Sequence, residues 1–162
     1  VGLPNNGKVL DYGCGPGDAA AYFASVGLKS DAFDASIEMI KIAGRRNGVK
    51  AWQASFDDFD AKNKYDAIWA NFSLLHANRD QMPHLLSAIY KGLKRPGRFH
   101  IAMKLGTGSA RDKIGRHYTY YEKNQLEILL RSAGFTITEY DTGNLIGLDG
   151  TPSNWIAILS HA

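Results

Sequence analysis

Ten residues near the start of the chain, Val9-Leu10-Asp11-Tyr12-Gly13-Cys14-Gly15-Pro16-Gly17-Asp18, leave few folds open. A short apolar run passes into glycines at alternate positions and then into a helical segment. Alternating glycines let a backbone turn tightly, and they let a ligand approach where a Cβ would clash. The rest of the chain repeats the same alternation of strand and helix, which points to an α/β domain with a mainly parallel sheet.

The spacing predicts a first strand over Lys8–Tyr12 and a helix from about Asp18, with Ala19, Phe23 and Val26 inward and Gly27 as its stop. A second strand, Ser30–Phe33, closes on Asp34. Ser36 caps a helix whose Ile37, Ile40 and Ala43 recur at helical spacing. Val49–Gln53 reads as a third strand, Asp57–Lys64 as a loop or poorly formed helix, and Tyr65–Ala70 as a buried fourth strand. A helix follows over Met82–Leu93, with Leu85, Leu86, Ile89 and Leu93 on one face. Arg95-Pro96-Gly97-Arg98 is a turn, and Phe99–Met103 a fifth strand. Residues 105–121 read as a glycine-rich, then tyrosine-rich connection. A last helix spans about Lys123–Ala133, with Leu126, Leu129 and Leu130 inward, before Gly134. Phe135–Tyr140 and Trp155–Ser160 have no helix between them, so they are expected to pair antiparallel.

The 162 residues suit one domain, expected over 1–162. No stretch reaches the roughly 18 apolar residues of a membrane span, and Val1–Lys8 has no secretory pattern. The lone cysteine, Cys14, forms no internal pair and fits no zinc pattern, so a reducing, cytoplasmic setting is expected. His84, His100 and His161 do not form a metal set by spacing. Residues 81–121 hold eight Lys/Arg against Asp112 alone. Such a stretch attracts anions or nucleic acid. For Lys91, Lys94 and Arg95 a plainer reading is a helix C-terminus, where cations offset the macrodipole.

The glycine loop separates three kinds of ligand. A P-loop needs Lys and Ser/Thr after its last glycine, whereas here Asp18 and Ala19 follow Gly17, and the acid repels phosphate. A dinucleotide fold needs G-x-G-x-x-G. Here the pattern is G-x-G-x-G, and Pro16 removes a backbone donor. S-adenosylmethionine carries no phosphate, and its ammonium and sulfonium charges tolerate an acidic loop. Asp34 lies 21 positions after Gly13, at the end of the second strand. A carboxylate there is placed to accept both ribose hydroxyl protons. A helix N-terminal acid beside Ser36 is the alternative.

VLDYGCGPG resembles the first signature of class I S-adenosylmethionine-dependent methyltransferases, and AFDAS resembles the acidic end of their second strand. YDAIWANFSLLHA and LKRPGRFHI are similar to their fourth strand and the turn into their fifth. The KLGTG and RHYTYY segments are similar to a bacterial group near the tellurite-resistance and thiol methyltransferases. The resemblance implies a Rossmann-like three-layer sandwich with a seven-stranded, mostly parallel sheet of order 3-2-1-4-5-7-6, the seventh strand antiparallel. It implies that Asp11, Gly13, Cys14 and Gly15 line the methionine end of the cofactor and that Asp34 binds ribose. Ala35 and Met39 would lie beside the adenine, which Ser55 and Phe56 flank. Asp57, Asp58 or Ser55 would serve the adenine amino group, and the backbone of Asn71 would face the methionine moiety. Such enzymes carry a helical lid before the first strand; only Val1–Gly7 stand there, so that segment is expected upstream of Val1.

Methyl transfer from a sulfonium is an in-line displacement in which alignment does most of the work. A base matters only for a nucleophile that must lose a proton. His76 is the candidate base or substrate ligand. Segment 105–121 is expected at the carboxyl edge of the sheet. Its Arg111, Arg116, His117, Tyr118, Tyr120 and Tyr121 form a candidate cap over an anionic or aromatic acceptor. The reading is a small-molecule methyltransferase that uses S-adenosylmethionine, yields S-adenosylhomocysteine and needs no metal. The alternatives are an RNA methyltransferase using the basic 81–121 region and a non-catalytic binding domain of the same fold. Against RNA, Asn71-Phe72-Ser73-Leu74 lacks the prolines of an N-P-P-Y tetrad.

Overall fold

The computed structural model describes residues 2–147 and 150–162; Val1, the first residue of the expected domain, lies outside them. Five strands build the parallel part of the sheet: β1 (Lys8–Tyr12), β2 (Lys29–Asp34), β3 (Val49–Gln53), β4 (Tyr65–Asn71) and β5 (Leu93–Lys104). Two short strands, β6 (Ser109–Arg111) and β7 (His117–Thr119), pair with each other as a separate hairpin. β8 (Thr136–Ile146) and β9 (Pro152–His161) complete the main sheet, whose order is β3-β2-β1-β4-β5-β9-β8. β9 runs antiparallel to both of its neighbours. This is the expected 3-2-1-4-5-7-6 order once the hairpin inside the 105–121 connection is counted.

Helices α1 (Asp18–Ser25) and α2 (Ile37–Ala43) pack on β1–β3, while α3 (Met82–Gly92) and α4 (Lys123–Ser132) pack on each other and on β5 and β8. The two sheet faces differ in kind. On one, Leu10, Ile68, Phe99, Ile101 and Ile158 follow the two-residue strand period and meet Leu85, Leu86 and Ile89 of α3 and Leu126 and Leu130 of α4. Each such side chain contributes about 1.5–3 kcal/mol by leaving water. On the other, Cys14, Ala20, Ala32 and Ala43 form a small cluster. Side chains this short let the glycine loop, α1 and α2 approach the strands closely.

Several local expectations change. Val26 is 54% exposed and Ile37 45% exposed, because α1 and α2 are only about two turns long and these residues sit at their ends. Ala20, not Ala19, is the fully buried residue of α1. β8 and β9 run well past the expected boundaries, pairing from Thr136↔His161 to Ile146↔Pro152. The turn at Arg95–Arg98 lies within β5 as an excursion: Leu93 pairs with Tyr65, and pairing resumes at Arg98 with Ala67. Among the described residues no helix is long and apolar enough to cross a membrane.

Candidate functional site

Gly13, Gly15 and Gly17 all have left-handed φ, of 75°, 52° and 78°. The N–H groups of Gly13 and Cys14 both donate to the Phe33 carbonyl, at 3.1 and 2.9 Å, strapping the loop to β2. The three glycines then face different surroundings. A Cβ on Gly13 would lie 2.5 Å from Ser73 Cβ, and one on Gly17 would lie 2.8 Å from Ala43 Cβ. A Cβ on Gly15 would meet nothing within 4 Å. Two glycines thus serve packing, and the middle one presents bare backbone to open space. Arg46 braces the loop from outside, donating to the Pro16 carbonyl at 3.3 Å and pairing with Asp18.

Asp34 ends β2 beside this loop. One of its carboxylate oxygens accepts from Gly15 N–H and the other from Ser36 N–H, each at 2.9 Å. The side chain is therefore fixed in place, yet each oxygen keeps a further lone pair for a ligand hydroxyl.

Loop and carboxylate open onto a cavity of about 600 Å³, within the usual range for small-molecule sites. One wall follows β3. Phe56 lies there, its ring stacked on Tyr12 at 5.2 Å. Asp57 lies beside it, held by the Gln81 side-chain amide at 3.1 Å. Asp58 points away: its carboxylate accepts from Ser55 N–H and Ser55 Oγ in a capping box, which holds it below the usual carboxylate range. Of the two acids, Asp57 is the one that lines the cavity. The opposite wall is the segment after β4. Phe72 adopts φ 52°, uncommon for a bulky residue, and Ser73 Oγ donates to the Tyr12 carbonyl at 2.5 Å.

His76 closes this wall. Its Nδ1 lies 2.8 Å from the His117 carbonyl. A carbonyl only accepts, so Nδ1 carries the proton and Nε2 is left with its lone pair. Loss of hydration lowers the His76 pKa, and Arg116 adds to this against the raising effect of the His117 carbonyl. The imidazole is neutral at pH 7 with a basic nitrogen available.

The cavity has a definite electrostatic character. Asp34 and Asp57 line it, and no Lys or Arg stands among its lining residues. It suits a cation and not a phosphate. Burial pushes the Asp11 carboxyl up to about 7 and the Cys14 thiol up to about 12.

Of the residues expected from sequence, Gly13, Cys14, Gly15, Asp34 and Ala35 line the cavity, and so do Ser55, Phe56, Asn71 and His76. Asp11 and Met39 do not. Asp11 is buried and accepts from Ala20 N–H at 3.1 Å, tying the end of β1 to α1. Met39 donates its N–H to Ser36 Oγ within α2. The cap residues also stand outside. Arg116 pairs with Asp112 at 2.6 Å. Tyr118 packs on the His76 ring at 4.8 Å. Tyr121 is fully buried beneath the Arg79 guanidinium. Phe72, Ser73 and Gln81 were not anticipated. Their roles come from a backbone turn and from a side chain meeting Asp57 across the chain, neither of which leaves a local pattern.

The profile of the family described as "Methyltransferase domain" matches residues 2–140. The chain is 30% identical over 92 residues to a malonyl-[acyl-carrier protein] O-methyltransferase of Enterobacter lignolyticus, covering 56% of this chain and 36% of that protein. It is 36% identical over 76 residues to a trans-aconitate 2-methyltransferase of Mycobacterium tuberculosis, covering 46% of this chain and 29% of that protein. The matched segments thus span about a third of those relatives' length. Among solved structures, a SAM-dependent methyltransferase of Methanosarcina mazei superposes with TM-score 0.85 at 16% identity, over 98% of this chain and 93% of that one. A Burkholderia thailandensis 1,6-didemethyltoxoflavin-N1-methyltransferase, solved with 1,6-didemethyltoxoflavin and S-adenosylhomocysteine, gives 0.79 at 24% identity, over 97% and 71%. At these identities the structures speak to the fold. With a profile matched along most of its length, the chain belongs to the methyltransferase domain family.

Proposed function

We propose that the cavity at the carboxyl ends of β1, β2 and β4 binds S-adenosylmethionine and that the chain transfers its methyl group to a small molecule. The observation that carries this reading is the pairing of bare backbone at Gly15 with the fixed Asp34 carboxylate, in a cavity lined by acids and no cation. A phosphate-bearing cofactor would meet repulsion there, whereas a sulfonium with an ammonium tail meets attraction. Asp34 accepts the ribose hydroxyls, and Phe56 and Ala35 flank the adenine. The backbone at Gly13, Gly15 and Asn71 faces the amino-acid tail. Asp57, held by Gln81, stands where the adenine amino group needs an acceptor.

The bound cofactor supplies a methyl group already activated for displacement. The chain's part is to align the acceptor and exclude water. Where the acceptor must lose a proton, His76 Nε2 receives it, because Nδ1 is already committed to the His117 carbonyl. The lone cysteine fits a reducing compartment, and we place the protein in the cytoplasm.

Calorimetry with S-adenosylmethionine and S-adenosylhomocysteine tests the reading. Asp34→Ala is expected to weaken both ligands at least about tenfold, or about 1.4 kcal/mol. Equal affinity of the variant and the wild type would remove the ribose role and the reading with it.

A further inference from the structure

A second cavity, of about 540 Å³, lies past the end of β5, between residues 104–107, the tip of the β6–β7 hairpin and the start of β9. Lys104, the last residue of β5, lines it and is only 7% exposed. Burying an ammonium without a counter-charge is costly. Among the described residues Lys104 forms no ion pair, and its Nζ instead sits 4.5 Å from the Tyr118 ring centroid. Among the described lining residues the one acid, Asp112, is spent elsewhere: Arg116 pairs with it at 2.6 Å, and the N–H groups of Ile114 and Arg116 donate to it.

A second group in the same wall also lacks a complement. Ser153 Oγ is buried and has no hydrogen-bond partner among the described residues. Arg111 and Lys113 stand exposed at the rim. A buried cation, a residue whose hydroxyl is unpartnered and a cationic rim thus line one space, and a group with two anionic oxygens complements them.

One buried ring stands between this space and the first cavity. Tyr118 meets Lys104 on its face and packs against His76, at 4.8 Å and 62° between planes. His76 itself lines the first cavity. An anion held at Lys104 would thus stand one ring away from His76.

We infer that the cavity at the end of β5 is the anion subsite of the methyl acceptor, whose carboxylate or phosphate group is held by Lys104 and Ser153. The inference rests on the proposed methyl transfer and adds the acceptor's chemical class to it.

The test is calorimetric, on the full chain with S-adenosylhomocysteine present, using citrate as the carboxylate probe and inorganic phosphate as the other. Wild type is expected to bind at least one probe, and which one binds identifies the anion. Lys104→Met keeps the aliphatic stem and is expected to weaken that probe at least about tenfold. Ser153→Ala is expected to weaken it roughly fivefold. Both variants should bind S-adenosylhomocysteine as wild type does. Equal probe affinity in wild type and Lys104→Met overturns the inference. So does the absence of probe binding in a wild type that binds S-adenosylhomocysteine. Should Lys104→Met not fold, Ser153→Ala decides by the same criterion. If S-adenosylhomocysteine fails to bind while the probe still depends on Lys104, the methyl-transfer reading falls, and the acceptor role falls with it.

Discussion

A methyl group added at Gly13 and one added at Gly15 have opposite consequences. At Gly13 the new Cβ would collide with Ser73, whereas at Gly15 it would enter open space. Both positions carry positive φ, which costs an L-residue roughly 1–2 kcal/mol. Gly13→Ala is therefore expected to lower the melting temperature well beyond that cost. Gly15→Ala should lose only about that much stability yet bind S-adenosylmethionine poorly, a split that melting curves and calorimetry resolve together. Asp11 offers a second test. Its folded pKa of about 7 lies above its unfolded value of about 3.9, so the fold prefers the protonated form. That preference is fully present below about pH 4 and is lost as pH rises through 7. Melting temperature should fall by about a few degrees from pH 5 to 8, and Asp11→Asn should flatten the slope. A slope as steep in the variant would refute the assignment. At this scale the sequence displays the glycine pattern and the acid at 34 plainly. It does not display which glycine opens onto free space, because that depends on Ser73 and Ala43, far along the chain.

The elements that hold the site do so through small residues. Gly17 lies against Ala43, the last residue of α2, within the cluster of Cys14, Ala20 and Ala32. Ala43→Leu should destabilise the chain by about 1–3 kcal/mol in urea denaturation. It should also weaken cofactor binding, because the displaced helix carries Gly17 with it. Binding left intact in a destabilised variant would separate the loop from α2. Strands β1 to β5 and all four helices are legible in the sequence from apolar period and glycine stops. The β6–β7 hairpin is not, since three-residue strands carry no measurable alternation. The full length of β8 is hidden as well: Asp141, Thr142 and Asn144 interrupt its apolar character. An edge strand paired on one side tolerates them, and its hydrogen bonds to β9 continue regardless.

Across the whole molecule, the cations of 81–121 are dispersed in role. Lys94 pairs with Asp66 at 2.8 Å, Arg116 pairs with Asp112, and Arg95 turns back to the carbonyls of Tyr90 and Leu93 at the end of α3. Lys104 is buried. Four of the eight cations are thus engaged or buried, which leaves fewer for a phosphate backbone. The chain is expected to show no saturable binding to single-stranded RNA at physiological salt in fluorescence anisotropy; a steep, salt-dependent isotherm would revive the RNA reading. The buried thiol of Cys14 bears on how long such a molecule lasts. The proposed cofactor site would set an alkylating sulfonium in the cavity that this cysteine lines. With the pKa near 12, the nucleophilic thiolate is on the order of one part in 10⁵ at pH 7. If the proposed methyl transfer holds, a thiol this weakly acidic is a poor nucleophile toward the sulfonium.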